Sequence, residues 1–207
     1  MNYKAALVIA SLIFITACIP QARFVAPDYQ RPERIAILPT INNTTDVKGS
    51  IVIRHLLYEE LQDKDYTQLI HPDLIDSLLN LEGITDGGQL TTITDSVLYN
   101  ILDADGLIYL TLLECEFSSI GINTTKKVKA NFKLYHSEQQ LIWEDEQEVD
   151  KGKSIFDTLI DALADPEKAA KESMEQLGDK AVKMWLTEHE LKDEMLEIIQ
   201  NSIKTLP

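Results

Sequence analysis

Hydrophobic residues follow two different periods along the chain, and each period predicts a type of element. Four apolar residues in a row, Ile35 to Leu38, predict a strand buried on both faces. Pro39 ends this strand because proline has no N–H to donate to a ladder. The most apolar strand is expected from Leu107 to Phe117, and strict alternation over 127–134 predicts a strand with one face exposed.

Apolar residues at three-and-four spacing predict helices between these strands. The first helix is expected from about Asp46 to Lys64, capped by Asp46 or the threonine before it. A short strand at 67–71 separates it from a second helix, which begins at Pro72. A third helix is expected at about 94–102.

Two amphipathic helices are predicted after residue 151. The first begins at Asp165, which is followed by proline and glutamate, and the second follows a sequence at 187–190 that resembles a capping box. Both suit packing on the sheet or dimerisation, and core packing is the expectation. The apolar residues of the second helix are Leu191, Met195, Ile198, Ile199 and Ile203.

These elements predict an α/β fold: a mixed β-sheet flanked by helices, with a C-terminal helical extension. The expected domains are a signal peptide at 1–17, a proline-containing tether at 18–33, an α/β domain at 34–150 and the C-terminal helices at 151–207. Three residues of the tether leave open the alternative that it docks on the domain, namely Phe24, Val25 and Tyr29.

The alternating strand and the one after it predict a hairpin with two rows of opposite charge on its solvent face. Lys127, Lys129 and Lys133 form one row, beside the glutamates at 144, 146 and 148. Opposite charges across strands stabilise a sheet modestly, so a satisfied solvent face is favoured over a binding patch.

The second strand of this hairpin carries one exception to the alternation. Leu141, Trp143 and Val149 are expected on the buried face, and Ile142 on the charged face. Asp145 falls on the apolar side, and a bulge is one way to turn it outward.

The first residues carry a targeting signal. The uncharged apolar run Ala5 to Phe14 is too short to span a bilayer, which needs about 20 residues, so it is typical of a signal peptide. The sequence at 15–18 then resembles the bacterial lipobox. That resemblance implies cleavage between Ala17 and Cys18 and acylation of Cys18, which makes membrane lipid its partner. Ile19 implies sorting to the outer membrane.

Charge and cysteine content narrow the classes of function. The 207 residues hold 19 basic and 34 acidic side chains, for a net charge of −15. A chain this acidic is unsuited to binding nucleic acid, which needs clustered Lys and Arg. Lipidation of Cys18 leaves only Cys115, so no internal disulfide is expected. Cys115 lies in an apolar run and is expected to be buried; no His–Asp pair can be tied to it from sequence.

The sequence shows no motif that carries chemistry. None of the four histidines has a metal-ligand neighbour at a known spacing. The sequence at 103–106 matches part of a calcium loop but lacks the later ligands. The negative charge of Asp46 at a helix start disfavours the binding of a phosphate group there. No catalytic, cofactor-binding or metal-binding residue is therefore expected.

The residues also carry a family resemblance. The run from Arg34 to Asp46, followed by a helix, resembles the TolB amino-terminal domain, the curli-secretion lipoprotein CsgG and the lipoprotein activators of penicillin-binding proteins. Together with Cys18, the segment 103–109 and the segment 141–144, it resembles a bacterial outer-membrane lipoprotein family of unknown function, of the meningococcal genome-derived antigen type. This resemblance covers residues 18 to about 150.

The resemblance implies a mixed sheet flanked by helices, outer-membrane anchorage and no known catalytic residues. Family members are often encoded near a CsgG-like lipoprotein, which implies a shared envelope assembly. The leading hypothesis is therefore a non-catalytic, lipid-anchored periplasmic protein. It would bind a CsgG-like partner, or a second copy of itself, through the sheet edge or the C-terminal helices.

Two other hypotheses come from different classes. The first is a regulator of a periplasmic enzyme such as a peptidoglycan synthase, which the short tether disfavours. The second is a hydrolase or small-ligand receptor, which needs a pocket with convergent polar groups.

Overall fold

The computed structural model describes residues 22–63, 68–120, 123–138, 140–154 and 189–207. The predictions for Ala17, Cys18 and the first C-terminal helix concern residues outside these ranges. Among the described residues, no helix is long and apolar enough to cross a membrane.

Seven strands and four α-helices make up the described part of the chain. The strands are β1 (Phe24–Val25), β2 (Arg34–Ile37), β3 (Ile41–Asn42), β4 (Gln68–Ile70), β5 (Gly106–Ile120), β6 (Asn123–His136) and β7 (Gln140–Ser154). The helices are α1 (Val47–Asp63), α2 (Pro72–Leu81), α3 (Asp95–Leu102) and α4 (Lys192–Ile203), with a 3₁₀ helix at Gly87–Thr92.

The strands form one open mixed sheet in the order β1-β7-β6-β5-β2-β4, with β3 beside β5. β2 is parallel to β4 and β5, whereas β5, β6 and β7 form an antiparallel meander. This confirms the predicted α/β class with a mixed sheet flanked by helices.

The four apolar residues that predict β2 divide between two cores. Ile35 and Ile37 lie in the core beneath α1 and α4, whereas Ala36 and Leu38 lie in a second core with α2 and α3. All four are fully buried. A strand covered on both faces has no place for a polar residue, which explains the unbroken apolar run.

The second predicted C-terminal helix packs on the sheet. All five of its predicted apolar residues are buried, so core packing is confirmed for α4. α4 begins at Lys192, and its N-cap Leu191 makes no side-chain bond. The helix therefore begins later than the capping-box pattern at 187–190 predicts, and Thr187, the cap in that pattern, lies outside the described residues.

A bulge in β7 changes which residues face the core. Leu134 pairs with Trp143 and Tyr135 pairs with Leu141, so Ile142 has no residue opposite it. Ile142 and Trp143 are consequently both buried. The prediction that placed Ile142 on the charged face is wrong, because a period of two holds only along an unbroken ladder. Leu141 was predicted on the buried face, but it lies opposite Tyr135 and is only half-buried, so that prediction is wrong as well.

Asp145 stays on the buried face and is only 2% exposed. Its carboxylate accepts hydrogen bonds from Gln147 Nε2 at 2.8 Å, from the Glu146 N–H at 3.0 Å and from Thr205 Oγ1 at 3.2 Å. These donors replace water, so the burial of the charge is compensated. The bulge at Ile142 lies three residues earlier and does not turn Asp145 outward.

Within the described residues, the segment predicted as a tether docks on the domain, as the alternative interpretation expected. Phe24 and Val25 pair with Glu144 and Trp143 of β7, and the Ala26 N–H donates to Ile142 O at 2.9 Å. Tyr29 packs on the core. The chain is therefore attached to the domain from residue 24 onward, ten residues before β2.

The partial calcium-loop sequence has a structural role. The Asp105 carboxylate accepts the N–H groups of Glu33 at 2.8 Å and Arg34 at 2.6 Å, and so fixes the start of β2. Asp103 ends α3 with φ = +49° and pairs with Arg34 at 3.1 Å.

Candidate functional site

A groove of about 710 Å³ lies on the sheet face opposite α1 and α4. α2, α3 and the 3₁₀ helix cover only the β2 side of this face. Alternate residues of β5, β6 and β7 therefore form the floor, and the 3₁₀ helix and the start of α3 form one wall. We call this surface the groove, and its apolar lining consists of Ile41, Leu90, Ile93 and Leu113.

Two tyrosines form the part of the floor that lies next to α3. The Tyr109 hydroxyl donates to Asp95 Oδ1 at 2.6 Å, and its ring meets the Tyr135 ring edge to face at 5.3 Å. Burial and the hydrogen bond to Asp95 raise the pKa of Tyr109 above its ordinary value. Tyr109 therefore stays protonated at neutral pH and acts as a donor that fixes Asp95.

The charged groups of the groove are paired with one another. Lys133 Nζ lies 3.6 Å from a Glu144 oxygen that also accepts from Asn131 Nδ2 at 3.0 Å. Arg23 forms a salt bridge of 2.9 Å with Glu146. Each of these charges is therefore balanced by an opposite charge on a neighbouring residue.

The charge ladder continues along β6 and β7 beyond the groove. Lys127 lies 2.7 Å from Glu114 and 3.5 Å from Glu148, and Lys129 lies 3.1 Å from Glu148. The hydrogen bond to Glu148 raises the pKa of Lys129, and the same bond lowers the pKa of Glu148. This confirms the predicted pairing of the lysine row with the glutamate row.

A separate polar cluster joins three distant parts of the chain. The Cys115 thiol donates to Asp46 Oδ2 at 3.3 Å, and His189 Nε2 lies 2.7 Å from the same oxygen. The other oxygen, Asp46 Oδ1, accepts the Gly49 N–H at 2.8 Å and caps α1, as predicted. We call these residues the Asp46–Cys115–His189 cluster.

The order of groups in the cluster opposes nucleophilic catalysis. A cysteine nucleophile needs the imidazole beside it as a base, whereas here the carboxylate contacts both other groups. Burial, and then the bond to Asp46, raise the pKa of Cys115 to about 12. For Asp46, burial opposes ionisation, but the bonds from Gly49, Cys115 and His189 outweigh it and lower the pKa. The ionised Asp46 carboxylate therefore stabilises the folded state, and this contribution is lost as the pH falls through the lowered pKa of Asp46.

We expect Cys115 to resist alkylation in the folded protein. At pH 8 a thiol of pKa about 12 is thiolate to only about one part in 10⁴, so iodoacetamide should react about a thousandfold more slowly than with the unfolded chain. The Cys18→Ser chain makes Cys115 the sole thiol for this measurement. Equal rates with and without denaturant would contradict the buried, protonated assignment.

Sequence reasoning locates some of these residues and misses others. Burial of Cys115 is confirmed, and Ala17 and Cys18 lie outside the described residues. The groove was not predicted because its wall, the 3₁₀ helix, is too short to show a period. The cluster was not predicted because its members are separated by 69 and 143 residues.

One solved structure with the same fold is that of a bacterial lipoprotein. The crystal structure of lipoprotein GNA1162 from Neisseria meningitidis is 18% identical, with a TM-score of 0.54, and the match covers 64% of this chain and 96% of that one. At this identity the match shows the fold alone.

Two further structures are more distant. The PelC dodecamer from Paraburkholderia phytofirmans is 10% identical, with a TM-score of 0.49 over 88% of this chain and 94% of that one. The LpoB C-terminal domain from Escherichia coli is 13% identical, with a TM-score of 0.43 over 60% of this chain and 87% of that one. At these TM-scores neither match supports an argument about function.

The family is shown by sequence. No curated protein matches the chain. The family model described as "Putative lipoprotein GNA1162-like" matches residues 24–191, which is well over half of the 207 residues. This agrees with the resemblance found from the sequence motifs. The chain therefore belongs to the GNA1162-like lipoprotein family.

Proposed function

We propose that this lipoprotein is a non-catalytic binding subunit of an envelope assembly, held at the outer membrane by an acylated Cys18 with its domain in the periplasm. The observation that carries the proposal is the groove. It offers apolar side chains beside charged groups that already neutralise one another. Such a surface supplies contact area and orientation to a partner protein without supplying a reactive group.

The C-terminal helix is the less suitable docking surface. The apolar face of α4 packs in the core, where Met195, Ile198 and Ile199 are fully buried, so it is not available to a partner. The groove and the outer edge of β7 remain, because β1 pairs only with Trp143 and Glu144. Among the described residues no strand pairs with β7 on that edge after Glu144, so a partner strand has room to add there.

The docked N-terminus limits how far the domain reaches from its anchor. From Cys18 to Ala22, where the described chain begins, four peptide units span at most about 14 Å. An acylated Cys18 then keeps the domain beside the bilayer. This favours a partner at the same membrane, such as the CsgG-like lipoprotein suggested by the family resemblance, over a synthase across the periplasm.

The anchor and the partner are tested together by cross-linking in native membranes. Wild type should incorporate labelled palmitate and capture one envelope protein, whereas Cys18→Ser should lose both. The matched control is Cys115→Ser, which removes the other cysteine and should keep the label. Capture of the same protein by Cys18→Ser would contradict membrane-dependent assembly, and capture of a second copy alone would replace the heterologous partner with a homo-oligomer.

A further inference from the structure

We propose that Asp46, Cys115 and His189 form a zinc site that joins α1, β5 and the segment before α4. The three donor atoms, Oδ2, Sγ and Nε2, all lie within 4.8 Å of one another. Donor atoms around a tetrahedral zinc ion are about 3.3–3.6 Å apart, given metal–ligand distances of about 2.0–2.3 Å. The existing 3.3 Å between sulfur and carboxylate already meets this spacing, and the 2.7 Å between imidazole and carboxylate needs a small opening.

The surroundings hold the carboxylate in place and keep one side of the cluster free of a side chain. Asp46 Oδ1 is held by the Gly49 N–H, which directs Oδ2 at the other two groups. A side chain at position 49 would lie 2.8 Å from Asp46 Oδ2 and 3.0 Å from Cys115 Sγ. Glycine therefore keeps the space next to both ligand atoms clear.

A cleft of about 260 Å³ gives access to the cluster from solvent. Asp46 and His189 line it together with Phe117, and Lys48 and Glu190 add opposite charges. A fourth ligand, either water or the exposed Glu190 carboxylate, can enter from this side. The site thus offers three protein ligands and one open position.

The ligand types select the metal. Thiolate, imidazole and carboxylate together suit Zn²⁺, whereas Ca²⁺ and Mg²⁺ require oxygen ligands in greater number. On binding, the thiol proton leaves to solvent and the imidazole proton moves from Nε2 to Nδ1. This tautomer loses the 3.2 Å hydrogen bond that Nδ1 accepts from the Leu191 N–H. That hydrogen bond is weaker than the bond to the metal that replaces it.

Cobalt substitution tests the site directly in the full lipidated chain. A thiolate-to-cobalt charge-transfer band is expected on adding Co²⁺, and Zn²⁺ should abolish it with one equivalent per chain. Cys115 is the only cysteine besides the acylated Cys18, so the band identifies its thiolate. If the band does not form, the zinc site is refuted and the cluster is a hydrogen-bonded clasp between α1 and the chain before α4.

Variants show whether all three residues bind the metal. Cys115→Ser should eliminate the band, and His189→Asn should weaken Zn²⁺ binding by at least about tenfold. The matched control is His71→Asn, because His71 is an exposed histidine 3.6 Å from Asp73 and is not one of the three residues of the cluster. Equal loss of zinc affinity in His71→Asn and His189→Asn would refute the assignment, and circular dichroism confirms that each variant is folded.

Discussion

Phe132→Ala is expected to lower the free energy of unfolding by about 3–5 kcal/mol. Phe132 is fully buried in β6, in the core that the sheet forms with α1 and α4. Removing its ring leaves a cavity, because helices packed on a sheet relax only partly toward the lost volume. Equilibrium urea denaturation followed by circular dichroism measures the change.

A second phenylalanine provides the control for this experiment. Phe117 in β5 is 41% exposed, so Phe117→Ala should cost less than about 1 kcal/mol. If both variants lost the same stability, the described core between the sheet, α1 and α4 would be wrong.

Gly87→Ala is expected to destabilise the protein by about 2–3 kcal/mol and to displace the wall of the groove. A Cβ at position 87 would lie 2.3 Å from Thr40 O and 2.7 Å from Pro39 O. These are backbone atoms, so the 3₁₀ helix must move away from the chain that follows β2. Leu90 on that helix lines the groove and would move with it.

The same urea experiment measures this loss, and amide hydrogen exchange of residues 87–92 reports the displacement. The matched control is Gly152→Ala, because a Cβ at position 152 has no atom within 4 Å. It should be neutral or slightly stabilising, since alanine restricts the unfolded chain more than glycine does. Unchanged exchange in Gly87→Ala would contradict the close approach of the 3₁₀ helix to Thr40.

The elements predicted correctly are those whose burial is uniform over several residues. β2 was recognisable because both faces are covered, and α4 because its stripe of five apolar residues faces one core. The lysine and glutamate rows were recognisable because β6 and β7 keep a period of two beside each other.

The errors arise where a tertiary contact replaces a local pattern. Ile142 was misplaced because one unpaired residue in β7 shifts the faces of the strand, and neighbouring composition carries no sign of it. The docking of β1 was only one of two alternatives at the sequence level, because a strand of two residues shows no period. It is held in place by pairing with the backbone of β7. Asp145 follows the alternation onto the buried face, where Thr205, 60 residues away, supplies one of its three donors, which local sequence does not predict.

The candidate sites were less predictable than the fold. The groove depends on where the 3₁₀ helix stops covering the sheet, and the Asp46–Cys115–His189 cluster depends on how α4 packs. Both are consequences of packing between distant segments. The resemblance of residues 15–18 to a lipobox is instead a local pattern, and lipidation of Cys18 stays a prediction.

The groove is the surface that we expect to bind the partner protein. The most direct test places a photo-crosslinking amino acid at Leu113, in the groove, or at Leu81 on α2, which is 82% exposed and outside the groove. After irradiation of native membranes, we expect one envelope protein to be cross-linked from Leu113 and not from Leu81. Equal cross-linking from both positions, or cross-linking from Leu81 alone, would contradict the claim.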